Sequence, residues 1–134
     1  MAATFQLEIA TPERLLAREQ VSDAQIPALK GYLGVLPGHA PLLGELGIGE
    51  LTYTAEGRRR SLAVHGGWVE VQPEQVRVLT DRAERADEID QERARKSLDR
   101  AQERLAHPVA GIDTARALNA MKRAQARLAA AARK

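Results

Sequence analysis

Six arginines on two alanine-rich stretches near the C-terminus are the residues whose type and spacing best suit binding chemistry. Within each stretch they recur at i, i+7 and i+11, and the two sets lie 23 residues apart. Helical spacing of this kind places each set on one face of a helix, beside its alanines. Guanidinium groups gathered on one face repel each other unless an anion lies between them, and their planar fork suits phosphate oxygens. They are Arg93, Arg100 and Arg104 in the first stretch, and Arg116, Arg123 and Arg127 in the second.

The arginine pattern leaves two interpretations open. The simpler one is a solvated basic face, with ion pairs inside one helix such as Asp99 with Arg95. The other is a site for a polyanion or for an acidic protein segment. Composition alone favours the solvated face. The charge distribution suggests an anionic partner for the C-terminal segment, because residues 1–80 carry a net charge of −2 and residues 81–134 a net charge of +4.

No pattern in the chain is typical of catalysis or of a metal site. The absence of cysteine excludes disulfides, thiol catalysis and thiolate metal ligands. The three histidines, His39, His65 and His107, show no i, i+4 pair that would predict a metal site. None of the three serines lies in a nucleophile elbow. The glycine-rich segments before residue 50 match neither a dinucleotide fingerprint nor a P-loop, so we expect them to form turns.

The elements that position these residues change character near residue 80. Before it, apolar and polar residues alternate with period two, as in Phe5, Leu7 and Ile9, and all but one of the ten glycines occur there. Short strands with turn residues at this spacing predict a β-sandwich or a small barrel. Two hairpins are expected, one joining residues 51–54 to 61–64, with Arg58–Arg60 in its turn, and one joining residues 68–71 to 76–79.

After residue 80 the composition favours helices, since residues 81–134 contain 15 alanines, 10 arginines and no aromatic residue. Asp90 and Asp113 precede the two helical runs and are candidates for N-caps. The proline and glycine between residues 107 and 111 separate the runs. An antiparallel helical hairpin is therefore predicted, with helices at about residues 90–106 and 113–133.

The helical hairpin is predicted to be weakly packed. Residues 89–105 and 112–128 are a repeat with nine of 17 positions identical, which suits pairing about a local two-fold axis. Alternate positions of each contact seam are alanine, and one buried methyl group contributes only about 0.8 kcal/mol. We therefore expect a hairpin that is marginal alone and able to undock. The seam comprises Ala94, Leu98, Ala101 and Leu105 facing Ala117, Met121, Ala124 and Leu128.

Composition excludes several classes of function. Four aromatic residues are too few for a platform that stacks single-stranded nucleic acid or sugars. No run approaches the roughly 18 to 20 apolar residues that span a bilayer. The first ten residues alternate polar and apolar, so we expect neither a signal peptide nor a transit peptide.

Three ordered motifs give the chain a resemblance to a known family. Residues 31–43 (GYLGVLPGHAPLL), residues 66–71 (GGWVEV) and residues 89–94 (I-D-x-x-R-A) resemble the signatures of the ε subunit of bacterial and plastid F-type ATP synthases. The resemblance covers essentially the whole chain. It implies an α+β fold, with a ten-stranded β-sandwich in residues 1–84 followed by a two-helix antiparallel hairpin in residues 87–134.

The resemblance implies a non-catalytic rotor subunit. In that family the sandwich binds the γ subunit and the membrane c-ring and joins them in the central stalk. The hairpin lies folded on the sandwich, or extends along γ towards the α/β catalytic subunits and inhibits ATP hydrolysis. Such a subunit is a peripheral part of the membrane complex, with no transmembrane segment of its own and no nucleic-acid partner. We expect it on the cytoplasmic face of the bacterial plasma membrane in preference to the plastid thylakoid. The loop that faces the c-ring and γ would contain Gly31, Tyr32, Leu33, Gly34 and His39, with Tyr32 where the family usually has glutamate.

Some members of this family bind ATP on the folded hairpin, and the resemblance carries their ligand positions to this chain. No cofactor is required, and ATP, with or without Mg²⁺, would be a regulatory ligand. The arginines would contact its phosphates. The positions are Glu84, Ile89, Asp90, Arg93, Ala94, Arg100, Arg123 and Arg127.

Two functions from other classes remain as alternatives at this stage. One is a free-standing module that senses ATP through the hairpin. The other is a basic nucleic-acid-binding protein, which the scarcity of aromatic residues and the acidic first half disfavour. Co-purification with γ and the catalytic subunits would distinguish a stalk subunit from a free ATP sensor.

Overall fold

The structure is a computed structural model that describes residues 3–107, 111 and 113–133. Eight strands come first and two α-helices last, joined by a short 3₁₀ helix at Ala86–Glu88. The predicted interruption at residues 108–110, and Ile112 of the repeat, lie outside the described residues. The elements are β1 (Phe5–Ala10), β2 (Leu15–Val21), β3 (Asp23–Ala28), β4 (Gly31–Val35), β5 (Leu42–Ala55), β6 (Arg58–Val71), β7 (Gln75–Thr80), β8 (Ala83–Arg85), α1 (Gln91–Ala106) and α2 (Thr114–Ala131).

The described strands form a β-sandwich in the order β2-β1-β7-β6-β5-β3-β4, with β8 paired to β6. Strands β5 and β6 are 14 residues long each. One half of β6 pairs with β7 and the other half with β8, so β6 takes part in both layers. The expected count of ten strands is therefore wrong. The described residues form eight strands, because β5 and β6 each run without interruption through both layers.

The sandwich core follows the period-two pattern of the sequence. Phe5, Leu7 and Ile9 are completely or almost completely buried, and so are Val76 and Val78. Apolar side chains on one face of each strand meet in this core, which is the main source of the sandwich's stability.

Both predicted hairpins are confirmed. Leu51 lies opposite Leu62, and Val71 lies opposite Val76. The first turn is only two residues long, Glu56 and Gly57, and both have positive φ, as tight hairpins require. Arg58–Arg60 consequently belong to β6 and not to the turn.

Both predicted helix N-caps are also confirmed. The carboxylates of Asp90 and Asp113 each accept a hydrogen bond, at 3.0 Å, from the backbone N–H three residues on. Helix α2 ends at Ala131, two residues earlier than expected. Neither helix, within the described residues, is long and apolar enough to span a membrane.

The seam between α1 and α2 is built as predicted. Ala94 and Ala101 are buried on α1, and Ala117 and Ala124 are buried on α2. The small side chains allow the two helices to approach closely.

The helical hairpin lies against the sandwich through α2, which separates α1 from the sheet. Leu62 and Val64 of β6 belong to the sandwich core, whereas Ala63 between them packs against α2. The docking cluster is small and consists mainly of alanines. It contains Ala63, Ile89, Ala126, Ala130 and Ala131, with Ile48 packed against it.

Candidate anion-binding groove and partner surfaces

An open groove of about 400 Å³ lies where the helical hairpin meets the sandwich. Its sides come from β8, from the start of α1 and from the middle of α2. Three carboxylates line it, from Glu84, Glu88 and Asp90, and Ala94 and Ser97 line its α1 side. Five arginines line it as well, Arg82, Arg93, Arg100, Arg123 and Arg127.

Two of the three carboxylates are already engaged by the protein. Arg14 donates to both oxygens of Glu88, at 2.7 and 2.9 Å, and this bidentate contact lowers the pKa of the Glu88 carboxyl to about 2. Asp90 caps α1. The groove therefore has an excess of positive charge that the protein does not neutralise, as a polyanion site requires.

The third carboxylate connects the hairpin to the sandwich. Arg127 Nε of α2 donates to Glu84 Oε1 of β8 at 2.6 Å, and both side chains are largely covered. Arg100 donates to Ser97 Oγ at 3.1 Å. Arg93 and Arg123 make no side-chain hydrogen bond within the described residues, so their guanidinium groups remain available to a ligand.

Seven of the eight residues predicted for an ATP site line this groove. Ile89 does not line it. It is buried against Ala63 and the alanines of α2, so its side chain supports the groove from the apolar side.

The six arginines of the repeat do not gather at one site. Four line the groove, whereas Arg104 and Arg116 line a separate depression near Gly111, at the far end of the hairpin. The predicted ion pair between Arg95 and Asp99 does not form, and Lys96 pairs with Glu92 at 3.4 Å instead.

Sequence reasoning missed Arg82, Glu88 and Ser97 of the groove, and His65 behind Glu84. Ser97 lies four residues after Arg93 on α1, a spacing that could have identified it. Arg82 and Glu88 reach the groove because they lie just before and just after β8. No local sequence pattern predicts where this short strand lies. His65 Nε2 lies 3.6 Å from Glu84 Oε1, and the side chain is only 4% exposed.

The segment predicted as a loop facing the c-ring is largely an edge strand. Gly31, Tyr32, Leu33 and Gly34 lie on β4, which pairs with β3, and Leu33 packs partly on the core. Tyr32 is 60% exposed, and its hydroxyl donates to the backbone oxygen of Glu50 at 2.9 Å. His39 follows β4, and its Nδ1 lies 2.7 Å from the backbone oxygen of Ala40.

A second surface is apolar and lies on the outer face of the sandwich. Leu43, Trp68 and Leu79 are 69%, 53% and 54% exposed. The pairing register places Trp68 directly between Glu45 of β5 and Leu79 of β7. Large apolar side chains grouped on the surface of a small domain mark an interaction site.

Two family models match this chain, and the boundary between them lies where the strands of the structure give way to the helices. The model of the ATP synthase delta/epsilon chain β-sandwich domain matches residues 4–86, and the model of the long α-helix domain matches residues 87–132. The chain belongs to the ATP synthase delta/epsilon chain family. The resemblance inferred from the three motifs is thereby confirmed.

Relatives within the delta/epsilon family match over long stretches. The ATP synthase epsilon chain of Solibacter usitatus (strain Ellin6076) is 58% identical over 134 residues, the whole of both chains. That of Carboxydothermus hydrogenoformans is 49% identical over 106 residues, 79% of each chain.

Solved ATP synthase structures contain chains with this fold. A chain of the Euglena gracilis mitochondrial ATP synthase, in the structure of its OSCP/F1/c-ring, superposes with a TM-score of 0.78 at 26% identity. The match covers 90% of this chain and 76% of that one. A chain of the Tetrahymena thermophila mitochondrial enzyme shares the fold at 16% identity, with a TM-score of 0.56.

Proposed function

We propose that this chain is a non-catalytic rotor subunit of an F-type ATP synthase. Its sandwich, residues 1–84, joins γ to the c-ring, and its hairpin, residues 87–134, inhibits ATP hydrolysis when it extends towards the α/β subunits. The observation that carries the proposal is a hairpin docked on the sandwich mainly through alanines, beside a groove lined by arginines. Weak docking next to a ligand site is the arrangement that a ligand-controlled two-state element needs.

ATP is the regulatory ligand of the proposed groove. Arg93, Arg100, Arg123 and Arg127 come from both helices, while Glu84 comes from the sandwich. A triphosphate held among them would bind the docked hairpin and not the extended one. It would therefore stabilise docking by mass action. In the described part of the chain no cluster of His, Asp and Glu could hold a metal ion, so Mg²⁺ would bind through the phosphates.

The exposed apolar face around Trp68 and Leu79 is proposed as the γ contact. The end of the sandwich that carries β4 and His39 is proposed as the c-ring contact. Tyr32 has its hydroxyl committed to Glu50 within the sandwich. It would thus meet the ring with its aromatic face, at the position where the family resemblance implies a glutamate. Such a subunit would be peripheral, on the cytoplasmic face of a bacterial plasma membrane.

Co-purification with the γ subunit of the same organism tests the rotor assignment. We expect the wild-type chain to co-purify with γ in stoichiometric amounts. The double variant Trp68→Ser, Leu79→Ser should reduce the recovery of γ about tenfold or more, because central apolar contacts dominate the binding energy of interfaces. Leu118→Ser is the matched control, because Leu118 is an exposed leucine on α2. It should leave recovery unchanged. A wild-type chain that binds ATP but never retains γ would support the free-standing ATP sensor instead.

A further inference from the structure

His65 occupies an unusual position between the sandwich and the helical hairpin. Residues 61–65 of β6 are all buried, since one face of this strand meets the core and the other meets α2. His65 lies two residues after Ala63, which packs against α2, and therefore shares its face. Its side chain is 96% buried as a consequence, and both ring nitrogens lack a hydrogen-bond partner within the described residues.

Four charged groups act on His65, and they come from α2 and from the segment of β8. Strand β5 places the uncharged Ile48 opposite it. Arg123 and Arg127 belong to α2, Arg82 precedes β8, and Glu84 lies on β8. Glu84 is the single carboxylate of this set, and it already accepts from Arg127 at 2.6 Å. A protonated imidazole would face three guanidinium groups and would have to share the Glu84 carboxylate with Arg127. Burial, with the arginine charges as the next cause, lowers the pKa of His65 to about 4.

We propose that docking of the hairpin is proton-sensitive, held while the His65 imidazole is neutral and released when that imidazole is protonated. When α2 leaves, Arg123 and Arg127 leave with it and water reaches the ring. Glu84 then loses its arginine partner and has the imidazolium as a neighbouring cation. Protonation is therefore far easier in the released state than in the docked one. The inference concerns docking itself and does not depend on nucleotide binding.

The direction of the pH effect follows from the two protonation equilibria. The pKa of His65 is about 4 with the hairpin docked, against an ordinary 6.5 once the ring is in water. Docking is therefore strongest above pH 6.5 and weakens as the pH falls towards 4. Between pH 7.5 and pH 5 the ratio of released to docked hairpin should rise about thirtyfold.

Hydrogen exchange of the α2 backbone amides reports this ratio, because a released hairpin that is marginal alone breaks its helical hydrogen bonds far more often than a docked one. The full chain is compared at pH 7.5 and pH 5 without nucleotide, after correction for the intrinsic pH dependence of exchange. We expect α2 protection to fall about thirtyfold in the wild type while amides of β1 and β7 keep theirs. The loss should vanish in His65→Gln. It should persist in His107→Gln, the matched control, whose histidine is exposed at the end of α1.

Two results would overturn the proposal: wild-type α2 protection that does not change, or an equal loss in His65→Gln. If the α2 amides of His65→Gln are unprotected even at pH 7.5, the variant cannot test the proposal. An NMR titration of the His65 imidazole in the wild type then tests it instead. A pKa below 5 while α2 stays protected supports the proposal. Titration near 6.5 with α2 still protected contradicts it.

Discussion

Deletion of residues 87–134 is expected to raise ATP hydrolysis several-fold in a catalytic complex reconstituted with this subunit, most strongly at low ATP. If the groove is the proposed ATP site, it would be empty at low ATP and the hairpin would be free to extend and inhibit. At an ATP concentration of 100 times the dissociation constant, binding favours the docked state by about 2.7 kcal/mol. That preference is roughly a hundredfold, so full-length and truncated subunits should then give similar rates.

The measurement is steady-state hydrolysis across ATP concentrations, with the full-length chain as the reference. Assembly and ATP synthesis should remain largely intact in the truncated complex, because the proposed γ and c-ring contacts lie on the sandwich. Equal hydrolysis rates at every ATP concentration would show that this hairpin is not an inhibitor.

ATP is expected to bind the isolated chain and raise its melting temperature, and single arginine substitutions in the groove should weaken binding strongly. Arg93 and Arg123 are the most informative positions, because neither makes a side-chain hydrogen bond within the described residues. Their substitution removes no side-chain hydrogen bond of the docked hairpin. Loss of one charge-assisted contact costs about 1.5–3 kcal/mol, which is roughly tenfold or more in affinity.

Isothermal titration of Arg93→Ala and Arg123→Ala against wild type measures this loss. Arg95→Ala is the matched control, because Arg95 lies on the same helix as Arg93 and outside the groove. It removes the same charge and should change affinity little. Absence of binding heat in the wild type at millimolar ATP would refute the site, and equal weakening in all three variants would indicate a nonspecific charge effect.

Local features of the fold could be predicted from the sequence, and features set by distant contacts could not. The N-caps at Asp90 and Asp113 need only a side chain and the backbone three residues on, so the pattern predicts them directly. The strand count was wrong because the continuity of β5 and β6 depends on how the two layers stack. The β4 segment does not show the alternating pattern of a strand, because it is short and contains two glycines, so its pairing with β3 could not be predicted.

The same division applies to the candidate site. Arg93, Arg100, Arg123 and Arg127 were predicted together through the helical repeat and the family resemblance. Ile89 was predicted with them, but its burial depends on alanines of α2 that lie about forty residues away in the chain. The burial of His65 could not be predicted for the same reason, since the docked α2 covers that face of β6.

Inhibition should require that the hairpin leave the sandwich, and a reversible covalent lock tests this requirement most directly. The chain contains no cysteine, so cysteines introduced at Ala63 of β6 and Ala126 of α2, which belong to one buried cluster, have no competing thiol within the chain. Loss of free thiol on oxidation verifies that the disulfide has formed. Hydrolysis at low ATP is then measured in the reconstituted complex before and after reduction. We predict uninhibited hydrolysis, equal to that with the truncated chain, while the disulfide is closed, and inhibition once it is reduced. Full inhibition by the locked, docked hairpin would contradict this prediction.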